Sequence, residues 1–147
     1  MNRTSKSIVK LVLSILFIVI FCMACSSKSL EVGIESYLRW NSKEKVLEIY
    51  AVIKNMSERD SSFEASIIIE NEKLQQLIGF ETETLEFDDR KGKTPFKLSS
   101  YTETVFKREY GINEKIKKDI LTNSVYIRIS TKDETIDKPI SYIDFIE

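Results

Sequence analysis

Two patterns of apolar and polar positions divide the chain near residue 26. Before that point three basic residues with no acidic one, Arg3, Lys6 and Lys10, lead into an apolar run over residues 11–23 that only Ser14 interrupts. At 13 residues the run falls short of the roughly 20 that a helix needs to cross a hydrocarbon core. It ends in Ala24-Cys25-Ser26, and the order basic, apolar, small is that of a secretory signal peptide that is cut after export. Beyond it, apolar residues recur at every second position, which predicts strands.

Residues 30–40 place Val32, Ile34, Leu38 and Trp40 on one face and Glu35, Tyr37 and Arg39 on the other. Asn41-Ser42-Lys43-Glu44 is a turn cluster, and residues 45–55 alternate again with Leu47, Ile49, Ala51 and Ile53 together, so these two segments predict a hairpin. Phe63, Ala65, Ile67 and Ile69 share one face of the next strand, and the run Ile67-Ile68-Ile69 predicts that its second face is partly covered too. Residues 72–78 fit one or two helical turns that need tertiary support. Residues 80–87 read as an edge strand, because alternating Thr and Glu discourage pairing with other chains; residues 88–93 read as a turn and 94–98 as resumed extended chain. A strand over 101–110 sets Val105 opposite Phe106 and Tyr110. Asn113 is expected to cap a helix over 114–121, where Ile116, Ile120 and Leu121 recur at helical spacing. Residues 125–131 and 136–146 are the last two strands, joined by a tight turn, with Pro139 marking an edge or bulge. Seven to eight strands between turn signals predict an all-β fold with one short crossover helix, either an immunoglobulin-like sandwich or a small barrel.

Composition narrows the chemistry. Cleavage after Ala24 leaves 123 residues, the size of one domain. The net charge of −1 conceals an uneven distribution, since the remainder carries 19 basic against 23 acidic side chains. Such a domain lacks the clustered Lys and Arg that phosphate backbones require, so nucleic acid is not an expected partner. The chain has no histidine, and its two cysteines are Cys22 and Cys25. Once Cys22 is removed and Cys25 blocked, thiolate sites, His-ligated metals and Ser-His-Asp or Cys-His catalysis are excluded. Carboxylate, Tyr, Lys and Ser chemistry remains, and stability rests on apolar burial without a disulfide.

The residues Ala24-Cys25-Ser26, after their apolar run, resemble the lipobox of bacterial lipoproteins, with Cys22 standing where that family usually has an aliphatic residue. The resemblance implies that Cys25 receives a lipid and becomes the new N-terminus, giving three parts: a signal peptide over 1–24, the lipidated cysteine and a short tether over 25–29, and a β-sandwich domain over 30–147. A chain spans at most about 3.6 Å per residue, so the tether reaches only about 14 Å and holds the domain against the membrane. The segment Leu47 to Ser57, ending in Asn55-Met56-Ser57, resembles a strand-and-corner motif of immunoglobulin-like domains in small bacterial lipoproteins, and Phe96-Lys97-Leu98-Ser99-Ser100-Tyr101 is similar to a later loop there.

Several constellations bear on chemistry. Glu81, Glu83, Glu86, Asp88 and Asp89 offer oxygen ligands for calcium, yet they lack the spacing of a dedicated loop and Arg90, Lys91 and Lys93 follow at once; a solvated edge and turn is the expected role, as for Asp133 and Glu134. Carboxylate pairs of the kind used in glycoside hydrolysis are defined by a separation that a sequence does not show. Trp40 with Tyr37 and Tyr50 would suit an aromatic platform for sugars or peptides, but Trp40 falls on the apolar face and is expected in the core, and Tyr37 is the better exposed candidate. Lys115, Lys117 and Lys118 form a small basic patch of the sort attracted to anionic lipid, with a solvated helix face as the plainer reading. Asn55-Met56-Ser57 also matches a glycosylation sequon, which a bacterial lipoprotein is not expected to use. The reading is therefore an extracytoplasmic, lipid-anchored, non-catalytic binding or accessory module without cofactor, with a protein partner near the membrane. The alternative is an inhibitor or immunity-type lipoprotein acting through loops at one end, and a carboxylate-dependent envelope enzyme ranks third.

Overall fold

The computed structural model describes residues 29–86 and 95–147. The segment read as a signal peptide, Cys25, residues 26–28 and the turn with Asp88 and Asp89 lie outside them. Within the described residues the order is β1 (Leu30–Val32), β2 (Tyr37–Asn41), β3 (Val46–Asn55), β4 (Ser61–Ile69), α1 (Glu72–Ile78), β5 (Thr82–Thr84), β6 (Phe96–Leu98), β7 (Glu103–Gly111), α2 (Lys118–Leu121), β8 (Val125–Ser130), β9 (Thr135–Pro139) and β10 (Tyr142–Ile146).

The first sheet is assembled around β3. β2 turns back onto it, from Asn41 opposite Val46 to Tyr37 opposite Tyr50, and β1 continues along the same edge with Leu30 opposite Asn55. β7 takes the other edge of β3, and β10 lies outside β2, pairing from Tyr142 with Tyr37 to Ile146 with Asn41. The second sheet is assembled around β4, with β5 and β6 end to end on one edge and β8, then β9, on the other. The β2–β10 pairing is parallel; the other pairings among the described residues are antiparallel.

Period-two alternation explains why the sheets face each other, since each strand turns one apolar row inward. Leu38, Trp40, Leu47, Ile49, Ala51 and Ile53 from the first sheet and Phe63, Ala65, Ile67, Ile69, Ile127 and Ile129 from the second are all buried in one core. The molecule is thus a two-sheet sandwich and not a barrel. Asn71 caps α1 through its Oδ1, which accepts from the Leu74 N–H at 3.1 Å. Gly79 ends the helix at φ 97°, a left-handed conformation that glycine adopts without strain.

The sandwich has two distinct ends. At the entry end the Met56 N–H donates to Ser29 O at 2.8 Å and the Asn55 N–H to Thr102 O at 2.9 Å, so the chain enters beside the loops 56–60 and 99–102. Asn55 is 1% exposed. Its Nδ2 lies 2.7 Å from Arg59 O, 3.1 Å from Leu98 O and 3.1 Å from Ser99 O, while its Oδ1 accepts from the Ser57 N–H and Oγ–H. The sequon asparagine is therefore an internal clasp joining two loops. At the far end sit the 42–45 turn, α1, α2 and Glu147, tied by bonds such as Ser42 N–H to Ile146 O and Ile112 N–H to Lys45 O.

Several sequence expectations are corrected here. The 30–40 segment is two strands, because a turn over Gly33 to Ser36 follows the last bond from Gly33 N–H to Val52 O; the Ser36 Oγ then accepts from the Val52 N–H, and Ile34, expected on the apolar face, is 94% exposed. The 80–87 strand contracts to Thr82–Thr84, and 101–110 to Glu103–Gly111, after a loop in which Tyr101 takes a positive φ. The helix begins after Lys117, not Asn113: Ile112 and Ile116 are both buried by an irregular segment, and only residues 118–121 wind up. The final strand divides at Ile140–Ser141 into β9 and β10, which belong to different sheets. These divisions raise the strand count from seven or eight to ten and add α1 as a second helix.

Candidate functional site

The outer face of the first sheet sets polar and aromatic residues in two neighbouring rows. Register places Tyr142, Tyr37, Tyr50 and Lys107 side by side on β10, β2, β3 and β7, and Asp144, Arg39, Glu48 and Glu109 beside them. Leu38, Trp40, Leu47, Ile49 and Phe106 on these strands are buried in the core, so the residues that alternate with them point outward. The Tyr37 and Tyr50 rings stack at 4.8 Å and 11°, and the Arg39 guanidinium lies 4.8 Å from the Tyr37 ring centre. Tyr142 is 62% exposed at the end of the row.

Glu48 is the hub of these rows. It accepts a hydrogen bond from Tyr37 Oη at 2.5 Å and an ion pair from Lys107 Nζ at 2.8 Å, with Arg39 at 3.6 Å. Arg39 Nε in turn donates to Asp144 at 2.8 Å, and Lys107 also meets Glu109 at 2.7 Å. Partial burial opposes ionisation of Glu48, but the bonds from Lys107 and Tyr37 outweigh it and hold the carboxyl below its ordinary range. The bonds to Glu109 and Glu48 hold the Lys107 ammonium above its own. The result is a network that holds Glu48 and Lys107 charged near neutrality and fixes the positions of the side chains around them.

A pH-dependent prediction follows. A depressed folded-state pKa contributes stability above the ordinary carboxylate pKa, and that contribution is lost as pH falls through the folded value. Glu48→Gln is therefore expected to lower stability by about 1 kcal/mol near neutral pH, with the two proteins converging below about pH 4. Thermal unfolding monitored from pH 7 to pH 3 measures it; a constant difference across that range would contradict the network.

The other candidates fall elsewhere. Trp40 is on the inner face at 1% exposure, so the aromatic surface is Tyr37 and Tyr50 without it. Tyr142 joins that surface only through the parallel β10 pairing, which no local signal announces. Glu83 is occupied, accepting from Tyr110 Oη at 2.8 Å with Arg108 Nε at 3.5 Å. Burial first, and then this bond, push the Tyr110 phenol well above its ordinary range. Glu81 and Glu86 are exposed, and Asp88 and Asp89 lie outside the described residues. Among the described residues no three His, Cys, Asp or Glu side chains are placed to hold a metal ion. Asp133 and Glu134 form the β8–β9 turn, where their N–H groups donate to Thr131 Oγ1. Lys115, Lys117 and Lys118 are exposed beside α2 at the far end. Beside the charged row an open depression of about 230 Å³ is lined by Arg39, Asn41, Glu48, Glu109 and Ile146 among others.

No family model and no curated protein matches the chain. Among solved structures it is similar to an alkylpurine DNA glycosylase from Pseudomonas fluorescens bound to DNA containing an abasic site analog, at 8% identity and a TM-score of 0.42, over 79% of this chain and 30% of that one. It is also similar to an exo-β-N-acetylglucosaminidase from Vibrio harveyi, at 9% identity and a TM-score of 0.43, over 81% and 18%. A β-glucosidase from Listeria innocua matches at 11% identity and a TM-score of 0.35, over 80% and 16%. The chain thus spans less than a third of each of these proteins, and likenesses this distant assign it no activity.

Proposed function

We propose that this is an extracytoplasmic lipoprotein, anchored through Cys25, whose sandwich is an immunoglobulin-like, non-catalytic binding or accessory module for a protein close to the membrane. The strand order supports the immunoglobulin-like reading: β2, β3 and β7 on one side facing β5/β6, β4, β8 and β9 on the other correspond to the A-B-E and C′-C-F-G sheets of such domains, with β10 added outside β2.

The observation that carries the binding role is the row Tyr142, Tyr37 and Tyr50 backed by the Glu48 network. Tyrosines held in place offer large contact area with little entropy left to lose, the chemistry of protein-recognition surfaces. Tyr50 lies five residues along β3 from Asn55, about 17 Å from the entry end. The tether adds about 14 Å, so a partner of this row sits close above the membrane.

Two measurements test the reading. Metabolic labelling with a fatty acid is expected to mark the wild type and not Cys25→Ser; equal labelling of both removes the anchor. A photo-crosslinking amino acid at position 142, in membranes, is expected to capture a protein that the same group at Thr122 on the far end does not. Identical adducts from the two positions, or adducts unaffected by Tyr37→Ala, remove the tyrosine row as the binding surface.

A further inference from the structure

We propose that the entry end of the sandwich rests directly on the lipid bilayer, with Met56 and Tyr101 as the side chains that enter its interface. This rests on the lipid-anchor reading, because it takes Cys25 to be held in that bilayer. Met56 is 50% exposed and Tyr101 67% exposed. They are not scattered surface residues: Met56 is bonded to Ser29, only four residues after Cys25, and Asn55 holds the Tyr101 loop alongside through Thr102 O, Leu98 O and Ser99 O. The two tips therefore move as one rigid surface at the point where the tether begins.

The backbone at Tyr101 is a second, independent observation. Its φ of 53° lies in the left-handed region, which disfavours a bulky residue relative to glycine. A tyrosine kept there with its ring in solvent contributes nothing visible to the core. At a membrane the same ring is well used, since tyrosine concentrates at the headgroup level with its apolar body toward lipid and its hydroxyl toward water.

Charge favours apolar contact over attraction to a strongly anionic surface. Lys54 is paired with Glu35 at 2.6 Å and approaches Glu103 at 3.8 Å, and the neighbouring loop carries Glu58, Arg59 and Asp60, a mixed set. The lysines beside α2 are at the opposite end. Anchored this way, the sandwich stands upright and turns its far end and its tyrosine row away from lipid.

The test uses the full chain purified with its lipid and reconstituted in vesicles of phosphatidylethanolamine and phosphatidylglycerol, with or without brominated acyl chains. Tyr101→Trp and Met56→Trp serve as probes and Ile146→Trp as control; the buried Trp40 is common to all three. Ile146 is level with Val46, which β3 separates from Asn55 by about 30 Å. Brominated lipid is expected to quench the introduced tryptophan about twofold at 101 and 56, as for a side chain at the headgroup level, and to leave 146 unchanged. Tyr101→Gly, which relieves the backbone, is expected to keep the fold while reducing quenching at Met56→Trp. Absence of quenching at 101 and 56, or equal quenching at all three positions, overturns the inference while the anchor stands. Absence of lipid on Cys25 in the mass of its peptide removes the anchor reading, and the inference with it, before any quenching is read. Probes at 101 and 56 that are shielded only when a partner protein is added also overturn it.

Discussion

Trp40→Ala is expected to lower the unfolding free energy by about 4 kcal/mol, the range for truncating a fully buried tryptophan. Trp40 is 1% exposed, heads the largest buried side chains, and packs in the shared core of both sheets. Domains of this kind hold about 5–15 kcal/mol in total, so the melting midpoint should fall by roughly 15 °C. Trp40→Phe separates volume from polarity. The Trp40 Nε1 has no hydrogen-bond partner among the described residues, and an unpaired buried donor destabilises by about 1–3 kcal/mol. Phenylalanine removes that donor along with part of the ring, so its net effect should stay below about 2 kcal/mol. Circular dichroism reads both variants, because the protein has one tryptophan. Equal losses for Ala and Phe would show that packing at this site is not what Trp40 contributes.

Asn55→Ala should lower stability by about 3 kcal/mol, because a fully buried amide loses its hydrogen bonds to two loops at once and the buried Leu98 carbonyl loses a donor. The amide has two hydrogens and faces three carbonyl oxygens, at Arg59, Leu98 and Ser99, so one proton is shared and no substitute of similar size reproduces the set. Asn55→Asp sharpens the test. An ionised carboxylate only accepts, and against three carbonyl oxygens it should be worse than alanine near neutral pH. Its folded-state pKa would be raised, so the variant should lose stability as pH rises above the ordinary carboxylate range and regain it in acid. Unfolding by urea at pH 7 and pH 4 measures this; an aspartate variant as stable as wild type at pH 7 would contradict the clasp. Loss of the clasp should also loosen the 99–102 loop, seen as faster amide exchange there.

The sequence made legible what a period of two can carry. The β2–β3 hairpin, the inward rows of β4 and β8, and the burial of Trp40 follow from alternation alone. Where the structure departs, the alternation itself changes parity. Ile136 and Ile140 point inward at even positions, while the partly buried Ile143 and Phe145 pack against the core at odd ones; that shift between 140 and 143 marks the passage from one sheet to the other. Helical spacing misled at 114–117 because an irregular segment buries Ile116 as readily as a helix would, and only Ile120 and Leu121 of the set lie in a helical turn. The tyrosine row was half visible: Tyr37 and Tyr50 are hairpin partners, but Tyr142 arrives from 105 positions away in the chain, through pairing that depends on the finished sheet. Asn55 belongs to a motif and a sequon, and its role depends on the Arg59 carbonyl of the loop that follows it and on the Leu98 and Ser99 carbonyls of a loop distant in the chain.

The parallel β2–β10 pairing also determines how the domain carries load. Ser29 and Glu147 lie at opposite ends of the sandwich, and the segments nearest them are strands laid lengthwise against their neighbours. A pull between these two points runs along the strand axes, so β10 must slide past β2, and β1 past β3, with all the bonds of each ladder strained together. Peeling the same ladders from one end would break them singly. The molecule is built as a lap joint along that axis, stiffest against a pull from one end of the sandwich to the other.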